Sequence, residues 1–414
     1  MTRLSFPKER VQILLLEGIH ENAATDLAAG GYTNVTMLPG ALDEDELVAR
    51  IEGVHLLGIR SRTKLTPRVL ATAERLIAVG CFCIGTDQVS LEEARRRAVP
   101  VFIAPFSNTR SVAELVLGQI IMLMPASSKS RWRRIAANGV SRRPTAGRCA
   151  AKTLGIVGYG SIGAQLSVLA EALGMHVLFY DPAPKLPLGR AEGCGELADL
   201  LARSDVVSLH VPDTTATRWM MGAAQIRAMR AGSFLINASR GRVVDVEALA
   251  GAIRDGHLLG AAVDVFPDEP STAQEEFFSP LRGLPNVILT PHIGGSTAKA
   301  QARIGNEVGR NLVDYSDIGS TFGAVNFPQV QLPARPSGTR FMHVHRNTPG
   351  VLVHVVDVFS RRGLNIGAQY LQTDGDMGYV VVDIDGGADE AQEILSDLRA
   401  VEGTIRARFL YERH

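Results

Sequence analysis

Thr153-Leu154-Gly155-Ile156-Val157-Gly158-Tyr159-Gly160-Ser161-Ile162-Gly163 is the stretch that decides the fold. Five β-prone residues run into three glycines at G-x-G-x-x-G spacing, and a helical pattern follows over 164–173. Gly158 permits the tight turn, Gly160 lets a pyrophosphate approach the backbone, and Gly163 lets helix pack on strand. The helix start offers unpaired N–H groups and a positive dipole end to phosphates. Asp181 ends the next β-run, 18 residues past Gly163. A carboxylate there accepts from both ribose hydroxyls and repels a 2′-phosphate, which favours NAD over NADP. The other reading of Asp181 is a turn residue before Pro182.

Downstream the β-runs continue at 176–180, 206–210, 234–237, 261–265 and 286–290, separated by helix-length stretches. Six such runs predict a doubly wound parallel sheet, the Rossmann type of α/β fold. Upstream, runs at 11–16, 55–59, 76–79 and 101–104 alternate with helical patterns and predict a second α/β sheet. Proline and glycine punctuate 326–338, which reads as a linker. Beyond it the order is strand (340–345), helix (349–362), strands (365–372 and 378–385), helix (388–401) and strand (404–411). That βαββαβ order predicts a small α+β, ferredoxin-like unit.

The chain has 414 residues, enough for two or three domains. Its 43 Lys+Arg balance 43 Asp+Glu, so no net field recruits nucleic acid or an anionic membrane. The eight Lys/Arg of 125–152, unaccompanied by any acid, read as a solvated connection. Cys81, Cys83, Cys149 and Cys194 make no C-x-x-C pair, which predicts a reducing, cytoplasmic setting. The start has no secretory pattern, and the longest apolar run, 115–124, is about half a membrane span. No metal site is expected.

Three polar residues follow later strands, where open α/β sheets bind ligands. Arg240 follows Asn237-Ala238-Ser239, Glu269 lies just past Asp264-Val265-Phe266-Pro267-Asp268, and His292 follows Leu289-Thr290-Pro291. Oxidising a secondary alcohol by hydride transfer needs a base for the hydroxyl proton, and histidine exchanges protons near neutrality. A neighbouring carboxylate orients the ring and stabilises the imidazolium. Arginine pairs with a substrate carboxylate in fork geometry. His292 is therefore read as acid/base, Glu269 as its partner and Arg240 as the substrate clamp.

These residues, with 80–86, 104–114, 155–163, 237–241, 264–267 and 290–297, resemble the D-isomer-specific 2-hydroxyacid dehydrogenases. The last module resembles an ACT domain through 343–350 and 368–373. The resemblance implies a flavodoxin-like substrate domain over 1–106 and 297–332, an NAD-binding domain over 107–296 and an ACT regulatory domain over 339–414. It implies that Gly158, Gly160, Ser161, Ile162, Gly163, Asp181, Ala238, Ser239, Asp264, Gly294 and Gly295 line the NAD site. Arg60, Ser61, Asn108 and Arg110 are implied to face the substrate. The expected reaction is oxidation of 3-phospho-D-glycerate to 3-phosphohydroxypyruvate, the first step of L-serine synthesis, in a homotetramer. Reduction of hydroxypyruvate, glyoxylate or 2-oxoglutarate is the alternative, and an NAD-sensing binding protein is a third reading. L-serine is the expected effector, held by His345, Asn347 and Asn365. Two features depart from the family pattern: Asp87 stands where Asn is usual, and 125–151 has lost the pattern at retained length. The second suggests a local reading-frame shift.

Overall fold

The structure, a computed structural model, describes residues 6–124, 149–270, 275–333, 338–386 and 390–410. Most of the atypical basic stretch thus lies outside the described residues. The chain divides into two compact units, 1–105 with 301–414, and 106–300.

In the first unit, β1 (Ile13–Leu15), β2 (Val35–Met37), β3 (Leu56–Ile59), β4 (Ala78–Cys81) and β5 (Val101–Phe102) form a sheet. Its order is β2-β1-β3-β4-β5, all pairs parallel, the flavodoxin-like arrangement. Apart from the edge strand β2, these strands are buried along their whole length, as a parallel sheet covered on both faces requires. The β2 run was not read from the sequence; at three residues, partly exposed, it carries too little pattern.

In the second unit, β6 (Thr153–Val157), β7 (His176–Tyr180), β8 (Glu192–Gly193), β9 (Val206–Leu209), β10 (Phe234–Asn237), β11 (Gly260–Val263) and β12 (Val287–Leu289) make a seven-stranded sheet. The order β12-β11-β10-β9-β6-β7-β8 reverses direction between β6 and β9. Loops after β6 and β9 therefore leave the sheet on opposite sides, and a crevice opens at their carboxyl ends. Val112, Val116 and Ile120 of the helix Thr109–Leu123 pack one face of this sheet with Leu166 of the helix Ser161–Ala172. Leu200, Leu249 and Ile253 cover the other face.

The C-terminal module has β13 (Thr339–Arg346), β14 (Ile366–Asp374), β15 (Met377–Ile384) and β16 (Thr404–Phe409) in the antiparallel order β14-β15-β13-β16. That is the ferredoxin-like order, and the helices Val351–Ser360 and Ala391–Ala400 cover one face through Val355, Phe359, Ile394 and Leu398. The opposite face is not solvated. Met342, Val344, Tyr379 and Val381 share a core with Phe102, Leu312 and Tyr315 of the first unit. Arg340 donates to both carboxylate oxygens of buried Asp383 at 2.6 and 2.7 Å, and to the Ile318 and Pro333 carbonyls at 3.2 and 3.1 Å.

The linker reading of 326–338 needs correction for its described part. Asn326 Oδ1 accepts from the Val101 amide at 2.8 Å, its Nδ2 donates to the Val99 carbonyl at 3.0 Å, and Phe327 and Leu332 are buried. Proline and glycine there shape a packed connection, because its side chains are amide and apolar groups that find partners.

Candidate active site

The glycine turn is built as its chemistry demands. Gly158 has φ +93, and a Cβ there would lie 2.4 Å from the His210 carbonyl oxygen. A Cβ on Gly163 would lie 2.2 Å from the Gly158 carbonyl oxygen, so helix and strand touch through bare backbone. Gly160 differs: a Cβ there would meet nothing within 4 Å. Its bareness is not needed by the protein's own packing, and the open space beside it fits the approach of a pyrophosphate. Ser161 and Ile162 open the following helix, whose first amides carry no side-chain cap. Asp181 follows β7; its Oδ2 accepts from the Tyr159 amide at 2.9 Å and its Oδ1 from the Ala183 amide at 3.0 Å. Both sequence readings of Asp181 thus have support, since the carboxylate shapes its own turn while standing beside the glycine loop. Each oxygen keeps a lone pair for a further donor.

Beyond β10, Asn237 Oδ1 accepts from the Ser239 amide at 3.1 Å and the Ser239 hydroxyl at 2.8 Å, while its Nδ2 donates to the Arg240 carbonyl at 3.0 Å. One buried amide therefore shapes the turn that carries Ala238, Ser239 and Arg240. A Cβ on Gly241 would lie 2.0 Å from the Phe266 carbonyl. The Arg240 loop is thereby pressed against the loop that leads to Glu269.

Glu269 and His292 meet. His292 Nδ1 is 2.9 Å from Glu269 Oε2, and Glu269 Oε1 accepts from the Phe266 amide at 3.0 Å. The ring is half-exposed, and with Nδ1 on the carboxylate its Nε2 is left for a reacting group. The Glu269 hydrogen bond raises the imidazole above its ordinary value against the effect of burial; the charge of Arg240 opposes. Burial works to raise the Glu269 carboxyl, yet the His292 hydrogen bond and charge, the Phe266 amide and Arg240 hold it below the ordinary carboxylate value. The pair is a proton-exchange device with a cation close enough to act on both members.

His292 has φ +52, a left-handed conformation that costs a side-chain-bearing residue on the order of 1–2 kcal/mol. Asp264 maintains it. Its carbonyl accepts from the His292 amide at 2.8 Å. Its Oδ1 accepts from the Thr290 hydroxyl at 2.5 Å and the Ile293 amide at 3.0 Å, and its Oδ2 from the Gly294 amide at 2.9 Å. Asp264, expected to line the NAD site, is buried and committed to the His292 loop. Gly294 is held against it, and a Cβ on Gly295 would lie 2.6 Å from Asn108 Nδ2.

The remaining expected residues are distributed as follows. Asn108 stands at the N-cap position of the helix Thr109–Leu123 without a side-chain capping bond; it is buried, and its Oδ1 has no hydrogen-bond partner. Arg110, in the first turn, pairs with Glu114 at 2.5 Å. Arg60 and Ser61 follow β3 in the first unit, and Asp87 is exposed there. Their loop is organised by a residue the sequence reading missed. Buried Glu17 accepts from the amides of Arg60 (3.1 Å), Arg62 (3.0 Å) and Thr63 (2.8 Å). The available signal was an acid directly after the first strand.

In the last module, His345 is buried with its Nδ1 3.3 Å from that of His343, and Asn347 Nδ2 donates to the Gly375 carbonyl at 3.0 Å. Asn365 Nδ2 donates to Asp385 at 2.8 Å. His345 and Asn347 lie together, but Asn365 does not join them. The register pairs Arg346 with Met377 at one sheet end, and Thr339 and Ile366 both with Ile384 at the other. One chain thus separates the two groups by roughly 20 Å or more, at about 3.3 Å per strand residue.

Among the described residues no helix is long and apolar enough to cross a membrane, and no group of three or more His, Cys, Asp or Glu could hold a metal ion.

Comparison with known proteins agrees with this geometry. The family model "D-isomer specific 2-hydroxyacid dehydrogenase, NAD binding domain" matches residues 120–294, and "AHAS small subunit-like ACT domain" matches 341–406. D-3-phosphoglycerate dehydrogenase of Escherichia coli strain K12 is 52% identical, over 99% of this chain and 100% of that protein. The enzyme of that name from Dictyostelium discoideum is 47% identical, over 98% of this chain and 99% of that protein. Among solved structures, D-lactate dehydrogenase from Aquifex aeolicus complexed with NAD and lactic acid is 27% identical with TM-score 0.64, covering 73% of this chain and 95% of that one. A glycine turn that fits a dinucleotide, a paired histidine and carboxylate, and similarity along nearly the whole chain agree: this protein belongs to the D-isomer specific 2-hydroxyacid dehydrogenases, NAD-dependent oxidoreductases, and carries an ACT domain at its C-terminus.

Proposed function

We propose that the protein oxidises 3-phospho-D-glycerate to 3-phosphohydroxypyruvate with NAD, the step that opens L-serine synthesis. The observation that carries the chemistry is the 2.9 Å contact between His292 Nδ1 and Glu269, with the Arg240 charge acting on both. The choice of substrate is supported by full-length similarity to relatives named D-3-phosphoglycerate dehydrogenase.

Gly158, Gly160, Ser161, Ile162, Gly163, Asp181, Ala238, Ser239, Gly294 and Gly295 would hold the dinucleotide, which when bound takes up the hydride from the substrate's C2. His292 Nε2 removes the C2 hydroxyl proton, and Glu269 keeps the other ring proton on Nδ1 and stabilises the resulting imidazolium. Arg240 binds the substrate carboxylate and polarises the oxygen at C2. Arg60, Ser61, Asn108 and Arg110 bind the remaining anionic charge, with Glu17 fixing the loop that carries the first two. The domains serve as substrate-binding (1–106 and 297–332), NAD-binding (107–296) and regulatory (339–414) parts.

L-serine is the proposed effector. Because Asn365 and the His345–Asn347 pair lie at opposite ends of one sheet, a single amino acid would touch both only where two copies of the module pair. This supports self-association, with a cytoplasmic homotetramer as the proposed form.

Comparing kcat/KM for 3-phosphohydroxypyruvate and hydroxypyruvate in wild type and Arg60→Ala tests the substrate assignment. The phosphorylated substrate should be preferred, and the preference should fall about tenfold or more in the variant, for one charge-assisted contact. Equal or better use of hydroxypyruvate, glyoxylate or 2-oxoglutarate by the wild type would transfer the assignment to that acid.

A further inference from the structure

The face of the ACT sheet turned toward the first unit's core is not purely apolar. Arg408 stands opposite Met342 and Arg406 opposite Val344 in the pairing of β16 with β13, so both arginines share the face of those core residues. Arg406 Nη1 donates to the Leu76 carbonyl at 2.7 Å. Arg408 Nη2 reaches the Ser316 carbonyl at 3.5 Å, and its guanidinium lies over the Tyr315 ring at 5.7 Å. Its Nη1 is buried without a hydrogen-bond partner. Beside them an open cleft of about 360 Å³ is lined by Arg75, Ile77, Arg399, Thr404 and Ala407, with Glu74 and Ile405 completing the wall.

The charge balance of this cleft is lopsided. Four arginines line it, against the single carboxylate of exposed Glu74. None of Arg75, Arg399, Arg406 and Arg408 has a carboxylate within salt-bridge distance among the described residues, although most of the other described arginines have one. Like charges held together and partly desolvated repel, and a buried guanidinium donor left unmade costs free energy. The field is felt nearby: burial, then the charges of Arg75 and Arg408, lower the pKa of His55. A ligand that repays this must be a small, compact anion able to accept several forked donors at once. Phosphate oxygens meet that description, and the volume suits a small phosphorylated molecule.

We propose that this arginine cleft, where β16 and the last turn of the helix Ala391–Ala400 face residues 74–77, binds a phosphate dianion, free or as a phosphomonoester. Its ligand bridges the ACT module and the first sheet, since Arg75 comes from one and Arg399, Arg406 and Arg408 from the other. Binding therefore stabilises their apposition, by an amount set by the ligand's concentration relative to its Kd.

The test is calorimetric titration of the full-length protein with inorganic phosphate and, separately, with 3-phosphoglycerate, at ionic strength fixed with potassium chloride. The Arg60→Gln background is used throughout, so that binding through the Arg60 loop is weakened. Saturable binding of either probe, with a rise in melting temperature, is expected. The double variant Arg75→Gln/Arg399→Gln alters two exposed side chains with no ion partner among the described residues, so it should fold and turn over as the Arg60→Gln background does. There the affinity should fall at least tenfold. Arg408→Gln should do the same, and if it fails to fold the exposed pair alone decides. Binding of inorganic phosphate identifies the free ion as sufficient, and binding of 3-phosphoglycerate alone identifies a phosphomonoester. No saturable binding of either, or binding unchanged in the double variant, overturns the proposal.

Discussion

His292 sits in a left-handed conformation, half-exposed and hydrogen-bonded to Glu269, so its replacement should affect chemistry before stability. His292→Ala should slow hydride transfer by about 10²–10⁴-fold. NADH binding, followed by fluorescence, should persist. Glu269→Gln addresses the pair itself. Because Glu269 raises the His292 pKa, removing its charge lowers that pKa, and the neutral base becomes available at lower pH. The acidic limb of the oxidation profile should therefore move to lower pH while the maximum rate drops; an unmoved limb counts against the pairing. At this scale much was readable. His292, Glu269 and Arg240 each follow a strand of the doubly wound sheet that the β-runs and the glycine turn announced. Asp264 and Glu17 were not readable in their roles, because each gathers amides from loops that only the fold brings near. The three amide donors to Glu17 begin 43 residues downstream.

The glycine turn gives the sharpest contrast between elements that serve packing and those that serve a ligand. Gly163→Ala forces a Cβ into the Gly158 carbonyl and should destabilise the second unit by about 1–3 kcal/mol, measured by denaturant unfolding. Gly160→Ala places its methyl in open space, so stability should hold while NADH affinity falls at least tenfold. Loss of stability in both variants with affinity kept would contradict the dinucleotide reading. Elements long enough to show a period were legible, including the six β-runs of the second unit and the whole βαββαβ module. β2 and β8 were not, being three and two residues long with largely exposed side chains and so no apolar run. The linker expectation failed because composition marks where the backbone turns, whereas Asn326 and Phe327 show that a turn can also be packed.

At the scale of the whole molecule, the ACT sheet shares a core with the five-stranded sheet of the same unit. Arg95 extends that tie, donating to the Asp374 carboxylate at 3.0 Å and to the Asn326 carbonyl at 3.1 Å. On the proposed pairing of modules, an effector that binds one arrangement better can thus act on the five-stranded sheet they rest on. L-serine should lower activity in the wild type, and Asn347→Ala should weaken the effect at least tenfold in serine concentration; an equal response in both would exclude Asn347 from the effector site. The element order of the last module was legible in the sequence, where that module reads as a domain of its own; the burial of its second sheet face was not, because the residues it packs against, Phe102, Leu312 and Tyr315, lie far from it in the chain. The most direct measurement is the rate of NADH oxidation by the full-length protein when 3-phosphohydroxypyruvate is added, followed by absorbance. Rapid, saturable oxidation, slowed by about 10²-fold or more in His292→Ala, is the predicted result. No oxidation above the rate without substrate, in a protein that still binds NADH, would contradict the proposed function.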